Sequence, residues 1–191
     1  MDNKVFSDFE VKETAIKFEG DEIAERIGCV GSCEETLNTK TITKKCEGVV
    51  TKQVTRGDGT AAVKYSLHIR WAIFCKLLGM HFEELKKGVY AYGKNSTHKE
   101  ACITSKVLDE DGNVKLKAYP RFSITEAVAR KIENGVEEVA EIEISGTALP
   151  DDDGNCTYEV MVSELAESDV DAFTKNFLTK FDVKSLKVAT V

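Results

Sequence analysis

Two acid-rich segments are the places where the sequence comes nearest to a metal-binding motif. Residues 109–113 read Asp-Glu-Asp-Gly-Asn and residues 151–155 read Asp-Asp-Asp-Gly-Asn, so each offers oxygen ligands at alternate positions, as a calcium loop does. Such a loop also needs a glycine at its sixth position and a glutamate at its twelfth. Those positions hold Val114 and Pro120 in the first segment, and Cys156 and Val162 in the second. Both segments are therefore predicted to be tight turns, and no metal ion is expected.

The three histidines are the next candidates for chemistry, because histidine is the most frequent general acid or base. His68 lies on the polar side of a predicted strand, His81 follows a predicted helix, and His98 lies in a polar loop. No local spacing pairs any of them with a carboxylate or a thiol. The sequence also lacks the Gly-x-Ser-x-Gly, phosphate-loop and His-Glu-x-x-His motifs. We therefore expect no catalytic residue, no cofactor and no enzymatic activity.

The six cysteines, at positions 29, 33, 46, 75, 102 and 156, include no Cys-x-x-Cys pair and no zinc-finger spacing with the histidines. In a protein made in a cytoplasm, such thiols are expected to stay reduced and to pack as small apolar side chains. Cys29 and Cys33 lie beside Gly28 and Gly31. The sequence leaves open whether these two cysteines pair.

The tripeptide Arg56-Gly57-Asp58, which cell-adhesion ligands display, lies between two alternating runs. Residues 49–55 are rich in β-branched side chains, and residues 61–70 place one apolar face opposite one polar face. Asp58-Gly59 supplies the positive φ that a hairpin turn requires. The segment Arg56, Gly57, Asp58, Gly59 and Thr60 is therefore predicted to be the tip of a long β-hairpin, which accounts for the tripeptide without an adhesive role. The apolar face after it consists of Ala61, Val63, Tyr65, Leu67 and Ile69.

Much of the remaining chain also has the alternation of antiparallel strands. Residues 9–18 and 39–46 predict strands with little apolar surface, as edge strands have. Residues 101–108 and 114–124 predict a hairpin that turns at residues 109–113. One face of its second strand would carry Val114, Leu116, Ala118, Phe122 and Ile124, and the other face Lys115, Lys117, Tyr119 and Arg121.

A further hairpin is predicted around Asn134-Gly135, a strong short turn signal. Its strands would be residues 122–132 and 136–149. One face of the second strand would be rich in carboxylates, which at this spacing are more often a solvated face than an acid/base pair. These carboxylates include Glu137, Glu141 and Glu143.

Two segments change to the 3.6-residue period of a helix. The first, residues 71–78, ends before Gly79, which fits a C-terminal cap. The second begins with Ser168 and Asp171 at capping-box spacing. Their apolar faces would carry Trp71, Phe74, Cys75 and Leu78 in the first, and Phe173, Phe177 and Phe181 in the second. Together the elements predict a mainly β fold, an antiparallel sandwich or barrel with one flanking α-helix and a short C-terminal helix.

Length and charge narrow the possible functions. The chain has 191 residues and a net charge of −7, and no Pro-, Gly- or Ser-rich linker divides it, so one domain is expected. An acidic chain is not expected to bind the phosphates of a nucleic acid. The N-terminal segment has neither a basic nor an apolar signal region, and no apolar run approaches membrane-spanning length. We therefore expect a protein made in a cytoplasm, with no membrane partner.

The segments THKEACITSKVLDEDGNVKLKAYPRFSI, residues 97–124, and ARKIENGVEEVAEIEISGTALPDDDGNCTYE, residues 129–159, resemble the major tail proteins of long-tailed bacteriophages and prophages of Gram-positive bacteria. The resemblance runs from the threonine-rich strand near residue 39 to the second acid-rich turn. It rests on these two stretches and on the order of the hairpins, because no catalytic signature marks this family.

The resemblance implies a tail tube fold, a β-sandwich with a flanking helix. Such subunits form stacked hexameric rings, in which neighbouring long strands build one inner barrel around the path of the DNA. The implied partners are copies of the chain itself, a tape-measure protein and tail initiator and terminator proteins, while DNA passes without specific binding. Residues 1–191 would be one tail tube domain with an N-terminal arm at about 1–12 and a C-terminal arm at about 182–191. The implied location is the virion tail, after synthesis in the bacterial host cytoplasm.

The resemblance also implies positions in the assembly for two groups of residues. The predicted tip at residues 56–60 and the two arms would bridge between subunits or rings. Glu137, Glu141 and Glu143 would face either the lumen or solvent, and a lumen rich in carboxylates repels phosphate. The tube of a contractile tail or of type VI secretion remains an alternative, as does a monomeric cytoplasmic β-sandwich that binds a small molecule or a protein.

Overall fold

The computed structural model describes residues 5–80, 83–135, 137–166 and 169–187. Within this part of the chain, eight strands pair in antiparallel fashion, and two α-helices accompany them, so the predicted mainly β class is confirmed. The first four strands are β1 (Glu10–Phe18), β2 (Glu25–Arg26), β3 (Gly28–Cys46) and β4 (Val49–Ile69). The others are β5 (Ala101–Leu108), β6 (Val114–Ile124), β7 (Ile142–Leu149) and β8 (Tyr158–Met161). The helices are α1 (Trp71–Leu77) and α2 (Val170–Thr179).

The strands follow the order β2-β1-β5-β6-β7-β4-β3, and β8 pairs with the first half of β6. The main core lies on one side of this sheet and includes the predicted apolar face of β4, of which only Ile69 is incompletely buried. A second core lies under α2. The sheet therefore separates two apolar layers.

A one-residue bulge in β6 overturns the predicted division of that strand into an apolar and a polar face. Ala101 pairs with Phe122, but Ile103 pairs with Tyr119, so β6 has one extra residue at this point. Because side chains alternate along a strand, the extra residue exchanges the two faces. Leu116 and Ala118 consequently lie in the second core, whereas Tyr119, Phe122 and Ile124 lie in the main core. Lys115 and Lys117, predicted on a polar face, point to the inner side with Tyr119, and their side chains are only 10% and 11% exposed.

Helix α1 forms where its period predicts it, but the buried face differs. Ile73, Phe74, Cys75 and Leu77 are buried, whereas Trp71 is half exposed and stacks on Phe74. Gly79 ends the helix with a φ of +60°, and a Cβ there would clash with the Thr97 carbonyl oxygen. Only glycine fits that position without strain. No helix in the described ranges is long and apolar enough to cross a membrane.

Helix α2 covers the outer side of β5, β6 and β8. Its N-cap is Asp169, whose carboxylate accepts a hydrogen bond from the Ala172 amide at 2.9 Å, while the predicted cap Ser168 lies outside the described residues. Phe177 packs edge-to-face against Phe181, with 5.0 Å between ring centroids, above Leu116. The predicted phenylalanine stripe is therefore the contact between α2 and the sheet.

We expect Phe177→Ala to destabilise the fold by about 3–5 kcal/mol, because it opens a cavity in the second core. The free energy of unfolding in urea, followed by circular dichroism, measures this. Asn176→Ala, at an exposed position of the same helix, is the matched control and is expected to stay within about 0.5 kcal/mol of wild type. An equal effect of both variants would show that α2 does not depend on this contact.

The two acid-rich segments are tight turns of the same design, as predicted. In the first, Asp109 Oδ1 accepts hydrogen bonds from the backbone amides of Asp111 and Asn113 at 3.0 and 2.7 Å. In the second, Asp151 Oδ1 accepts from the amides of Asp153 and Asn155, both at 3.0 Å. Loss of hydration favours the neutral form of Asp109, but the hydrogen bonds, led by those from Asn113, outweigh it and hold the pKa of Asp109 below its ordinary value. The carboxylates of Asp109 and Asp151 are thus hydrogen-bonded to the backbone of their own turns.

This geometry predicts how stability depends on pH. A carboxyl whose folded pKa is lowered contributes stability above its unfolded pKa, near 4, and loses it as the pH falls through the folded value. Asp109→Asn is therefore expected to be less stable than wild type at pH 5, with the difference shrinking below about pH 4. Urea unfolding across this range tests it, with Asp111→Asn as the control because the Asp111 side chain is exposed. A difference that stays constant to pH 2 would contradict this role for Asp109.

The hairpin predicted around Asn134-Gly135 does not form. Residues 125–141, as far as they are described, contain no strand, and they connect β6 to β7 as a long loop. Ile132 is 93% exposed, and Val139 is also exposed, so strand formation here would bury little apolar surface. A turn signal without apolar alternation on both sides does not specify a hairpin.

Candidate functional site

The largest feature outside the two cores is a two-stranded ribbon, residues 39–58, formed by the distal parts of β3 and β4. Pairing of β4 with β7 ends at Ala61, and beyond it β3 and β4 pair only with each other as far as Cys46 and Val49. Every residue from 39 to 58 is exposed. At roughly 3.3 Å per residue, the ribbon projects about 25 Å from the sheet.

The turn of this long hairpin lies at Glu47-Gly48, so the prediction that residues 56–60 form the tip was wrong. Thr39 pairs with Gly57 and Leu37 with Ala61, so β4 carries two extra residues at the base of the ribbon. Gly59 takes a φ of +90° within this bulge. Asp58 Oδ1 accepts hydrogen bonds from the amide and the hydroxyl of Thr60, each at 2.8 Å. Asp-Gly thus supplies positive φ for a bulge instead of a turn.

The register gives the ribbon one basic face. Lys40 pairs with Arg56, Ile42 with Val54, and Lys44 with Lys52. Directly paired residues point to the same side, so four cations surround two exposed apolar side chains. The opposite face is uncharged over residues 39–43 and 51–55, with Thr41 and Thr55 joined through their hydroxyls at 2.9 Å, whereas Lys45 lies near the turn, where it pairs with Val50. The overall charge of −7 conceals this local excess of positive charge.

The basic face is unfavourable in the isolated chain. Like charges directly opposite each other in an antiparallel pair are destabilising, and both basic pairs have this arrangement. Among the described residues, no ion pair is formed by Lys40, Lys44, Lys52 or Arg56. The ribbon therefore presents unneutralised cations to its surroundings.

The predicted carboxylate face does not form as one surface. Glu137 and Glu141 lie exposed in the loop between β6 and β7, whereas Glu143 lies on β7. Glu143 pairs with Lys64 on the adjacent strand at 3.0 Å, and this contact raises the pKa of the Lys64 amine.

A polar cleft opens between β1 and β3, in a region where sequence alone gave no candidate. The strands meet at the bond from the Ile27 amide to the Thr14 carbonyl oxygen, 3.0 Å long, and then diverge around a cavity of about 480 Å³. We call this cavity the β1–β3 cleft. The residues that line it and are used below are Asp8, Cys33, Glu35, Tyr65, Lys117 and Tyr119.

Beside this cleft, two lysines and three carboxylates form an ion cluster. Lys117 Nζ lies 2.6 Å from Glu35 Oε2 and 2.9 Å from Glu159 Oε1. Lys115 Nζ lies 2.6 Å from Asp8 Oδ1 and 3.4 Å from Glu159 Oε2. Desolvation opposes the charged form of Lys117, but Glu35 and Glu159 outweigh it and raise the pKa of its amine. Lysines turned inward by the bulge in β6 are thus neutralised, with one carboxylate in excess.

Three buried oxygens of the cleft have no hydrogen-bond partner in the described part of the chain: Glu35 Oε1 and the hydroxyls of Tyr65 and Tyr119. Both tyrosines are 1% exposed. Burial raises the pKa of both hydroxyls well above the ordinary value, and the neighbouring thiol of Cys33 adds to this. The tyrosines therefore stay neutral. The nearest polar side chains are Cys33 and Ser105 beside the Tyr65 hydroxyl and Glu35 beside the Tyr119 hydroxyl, but none of them lies in hydrogen-bond geometry.

Among the described residues, the histidines and cysteines form no reactive centre. His98 bonds to the Tyr92 hydroxyl and to the Ile124 carbonyl oxygen, His68 is exposed, and His81 lies outside the described residues. The six thiols are free. Cys29 and Cys33 lie four residues apart along one extended strand, roughly 13 Å, which is too far for a disulfide. In the described ranges, no group of histidines, cysteines and carboxylates could hold a metal ion.

The environments of the cysteines predict which of them react. Cys29 and Cys46 are exposed, whereas burial raises the pKa of the Cys102 thiol to about 12 and also raises that of Cys33. At pH 8 the thiolate fraction of Cys102 is then on the order of 10⁻⁴. We expect a chromogenic disulfide reagent to modify Cys29 and Cys46 rapidly in the native protein, as mapped by mass spectrometry. Labelling in urea gives the total number of reactive thiols. Rapid labelling of Cys102 in the native protein would contradict the raised pKa of its thiol.

Comparison with known proteins adds little to this geometry. No model of a protein family matches the sequence, and no curated protein matches it. The chain is similar to the cryo-EM structure of the anti-feeding prophage cap, the tube-terminating cap, with a TM-score of 0.46 and 9% identity over 83% of this chain and 96% of that chain. It is also similar to a chain of the anti-feeding prophage baseplate, with a TM-score of 0.38 and 8% identity over 86% and 100% of the two chains. Similarities this weak carry no argument about function.

Proposed function

We propose that this chain is a non-enzymatic structural subunit of a phage tail tube, which self-assembles into stacked hexameric rings that form the conduit for DNA ejection. The resemblance of residues 97–124 and 129–159 to major tail proteins of Gram-positive phages and prophages motivates this function. Its partners would be further copies of the chain, a tape-measure protein and tail initiator and terminator proteins. Its place would be the virion tail, after synthesis in the host cytoplasm.

The ribbon is the observation that carries the proposal. A two-stranded ribbon alone is marginally stable in water, and within the part of the chain that the structure describes this one has neither a third strand nor a core against it. Exposed strand edges are sites at which another chain adds. A neighbouring subunit that covers residues 39–58 would supply the missing contacts.

The charge distribution favours copies of the same chain as the partner. The ribbon is basic on one face, while the chain as a whole carries a net charge of −7. Contact between the basic ribbon of one copy and an acidic surface of the next is heterologous, and such contacts propagate into rings or filaments. A tube of stacked rings is an assembly of this kind.

The same charges suggest an orientation for the ribbon. A basic face in the lumen would attract the phosphates of passing DNA. We therefore propose that Lys40, Lys44, Lys52 and Arg56 face a neighbouring subunit. The lumen would then be lined by carboxylates, which repel DNA. The candidates are Glu137, Glu141 and Glu143.

The bulge at the base of the ribbon is proposed to contact the same neighbour. Arg56, Gly57 and Asp58 are exposed where the ribbon leaves the sheet, and hydrogen bonds of Asp58 and Asn38 to Thr60 fix the local backbone. Together with Gly59, these residues would form an inter-subunit contact from a fixed bulge, not from the tip of a hairpin. The N-terminal and C-terminal arms are proposed to bridge between subunits as well.

Substitution within the basic face tests the assembly. We expect the wild-type protein to form rings or tubes in negative-stain electron micrographs and to sediment in a concentration-dependent way. Ile42→Asp/Val54→Asp is expected to remain monomeric, because charged groups replace the apolar centre of the ribbon face. Since both side chains are exposed in the monomer, its urea unfolding midpoint is expected to stay near that of wild type.

A matched control is Ile23→Asp/Leu85→Asp, which changes two exposed apolar residues outside the ribbon. This variant is expected to assemble as wild type does. A wild-type chain that stays monomeric at every concentration, even with initiator and tape-measure proteins present, would contradict the tube and favour the monomeric binding module. Tubes formed only with a sheath protein would favour a contractile-tail relative.

A further inference from the structure

The β1–β3 cleft has the properties of a site for a cationic side chain. Its three partnerless atoms, Glu35 Oε1 and the hydroxyl oxygens of Tyr65 and Tyr119, are all able to accept hydrogen bonds from an ammonium or guanidinium group. Buried polar atoms left without partners are costly, so a donor that reaches them is favoured. The site thus calls for several N–H donors on one group.

The charges around the cleft point to the same ligand. Two amines, of Lys115 and Lys117, face three carboxylates, of Asp8, Glu35 and Glu159. One negative charge is therefore in excess beside a cavity in which hydration is reduced. Asp8 and Glu159 are partly in solvent, so the carboxylate that attracts a neighbouring cation most strongly is Glu35, whose side chain is only 16% exposed.

The boundaries of the cleft favour a ligand that is part of an extended polypeptide. On one side lies the first half of β1, which pairs only with β5, and on the other side lies the edge of β3 away from β4. Among the described residues, neither edge has a second strand partner in this region. A strand that enters between them can bond to backbone groups while it delivers one side chain to the floor.

We propose that the β1–β3 cleft receives a lysine from the ribbon of a second copy of this chain, Lys44 or Lys52. These lysines form the like-charged pair nearest the ribbon turn, so of the two basic pairs they lie farther from the bulk of their own subunit; Lys45 lies nearer still to the turn but pairs with the uncharged Val50. The pair Lys40 and Arg56 lies closer to the sheet, where a second subunit has less room to approach. The inserted amine would neutralise the excess carboxylate, and its departure from the ribbon face would relieve the like-charge repulsion. This assignment rests on the self-assembly proposed above, for which it names the receiving site.

Two variants test separately the ribbon that supplies the lysine and the cleft that receives it. Lys44→Gln/Lys52→Gln removes the cations but keeps the cleft, and Tyr65→Phe/Tyr119→Phe removes two acceptors but keeps the ribbon. The phenylalanine variant is expected to be at least as stable as wild type in urea, because its hydroxyls have no partner to lose. Sedimentation is expected to show that each variant assembles about ten- to a hundredfold more weakly than wild type. This is the change in association constant expected when hydrogen bonds to a charged group are lost.

Mixing the two variants gives the sharper result. The ribbon of the phenylalanine variant can still enter the cleft of the glutamine variant, but the reverse contact is lost. We expect an equimolar mixture to form heterodimers that grow no further, as measured by sedimentation and native mass spectrometry. Lys40→Gln/Arg56→Gln is the matched ribbon control and is expected to weaken assembly less than Lys44→Gln/Lys52→Gln.

The outcomes distinguish the two proposals. Wild-type assembly with an unimpaired phenylalanine variant would overturn the cleft as the receiving site and leave the tube function intact. Equal losses for the inner and outer ribbon pairs would overturn the choice of Lys44 and Lys52. A wild-type chain that never self-associates would overturn the tube function and this inference together.

Discussion

The single extra residue in β6 is the constraint on which the arrangement of the molecule depends. Before the bulge, Leu116 and Ala118 face α2, and after it Phe122 faces the main core. One strand thereby contributes apolar side chains to both layers. The same geometry turns Lys115 and Lys117 inward, and an inward lysine must be paired because an isolated buried charge is costly. The ion cluster and the polar cleft thus follow from a local change of register.

The sequence predicted those elements whose side-chain pattern is complete within the element itself. The alternation in β4 and both helices are of this kind, since each buries one apolar face. The hairpin of β5 and β6 also forms as predicted, but its second strand buries side chains on both faces. Predictions failed where a turn signal had two physical meanings. Asp58-Gly59 and Glu47-Gly48 both supply positive φ, and only the pairing along the whole hairpin decides which is the turn and which is the bulge. Asn134-Gly135 failed for the complementary reason, because its flanks offer little apolar surface to bury.

The candidate surfaces were predictable to different degrees. Alternating lysines in residues 39–46 are visible in the sequence, but the meeting of Lys40 with Arg56 and of Lys44 with Lys52 depends on a register that the local pattern does not contain. The cleft could not be found in this way. Glu35, Tyr65 and Tyr119 come from three strands far apart in the chain, and each residue has an ordinary structural explanation when considered alone.

The separation of the ribbon from both cores has a consequence for cooperativity. We expect residues near Phe122 to exchange their amide protons only when the whole domain opens, whereas the amides of residues 39–58 are protected only by the pairing of two strands. The chain therefore has two unfolding units with very different opening free energies. Whatever binds the ribbon must first hold it in one conformation, so part of the binding energy is used for ordering. In the assembly proposed above, such an interface would gain strength when many ribbons are held at once, which would favour a closed assembly over an isolated pair.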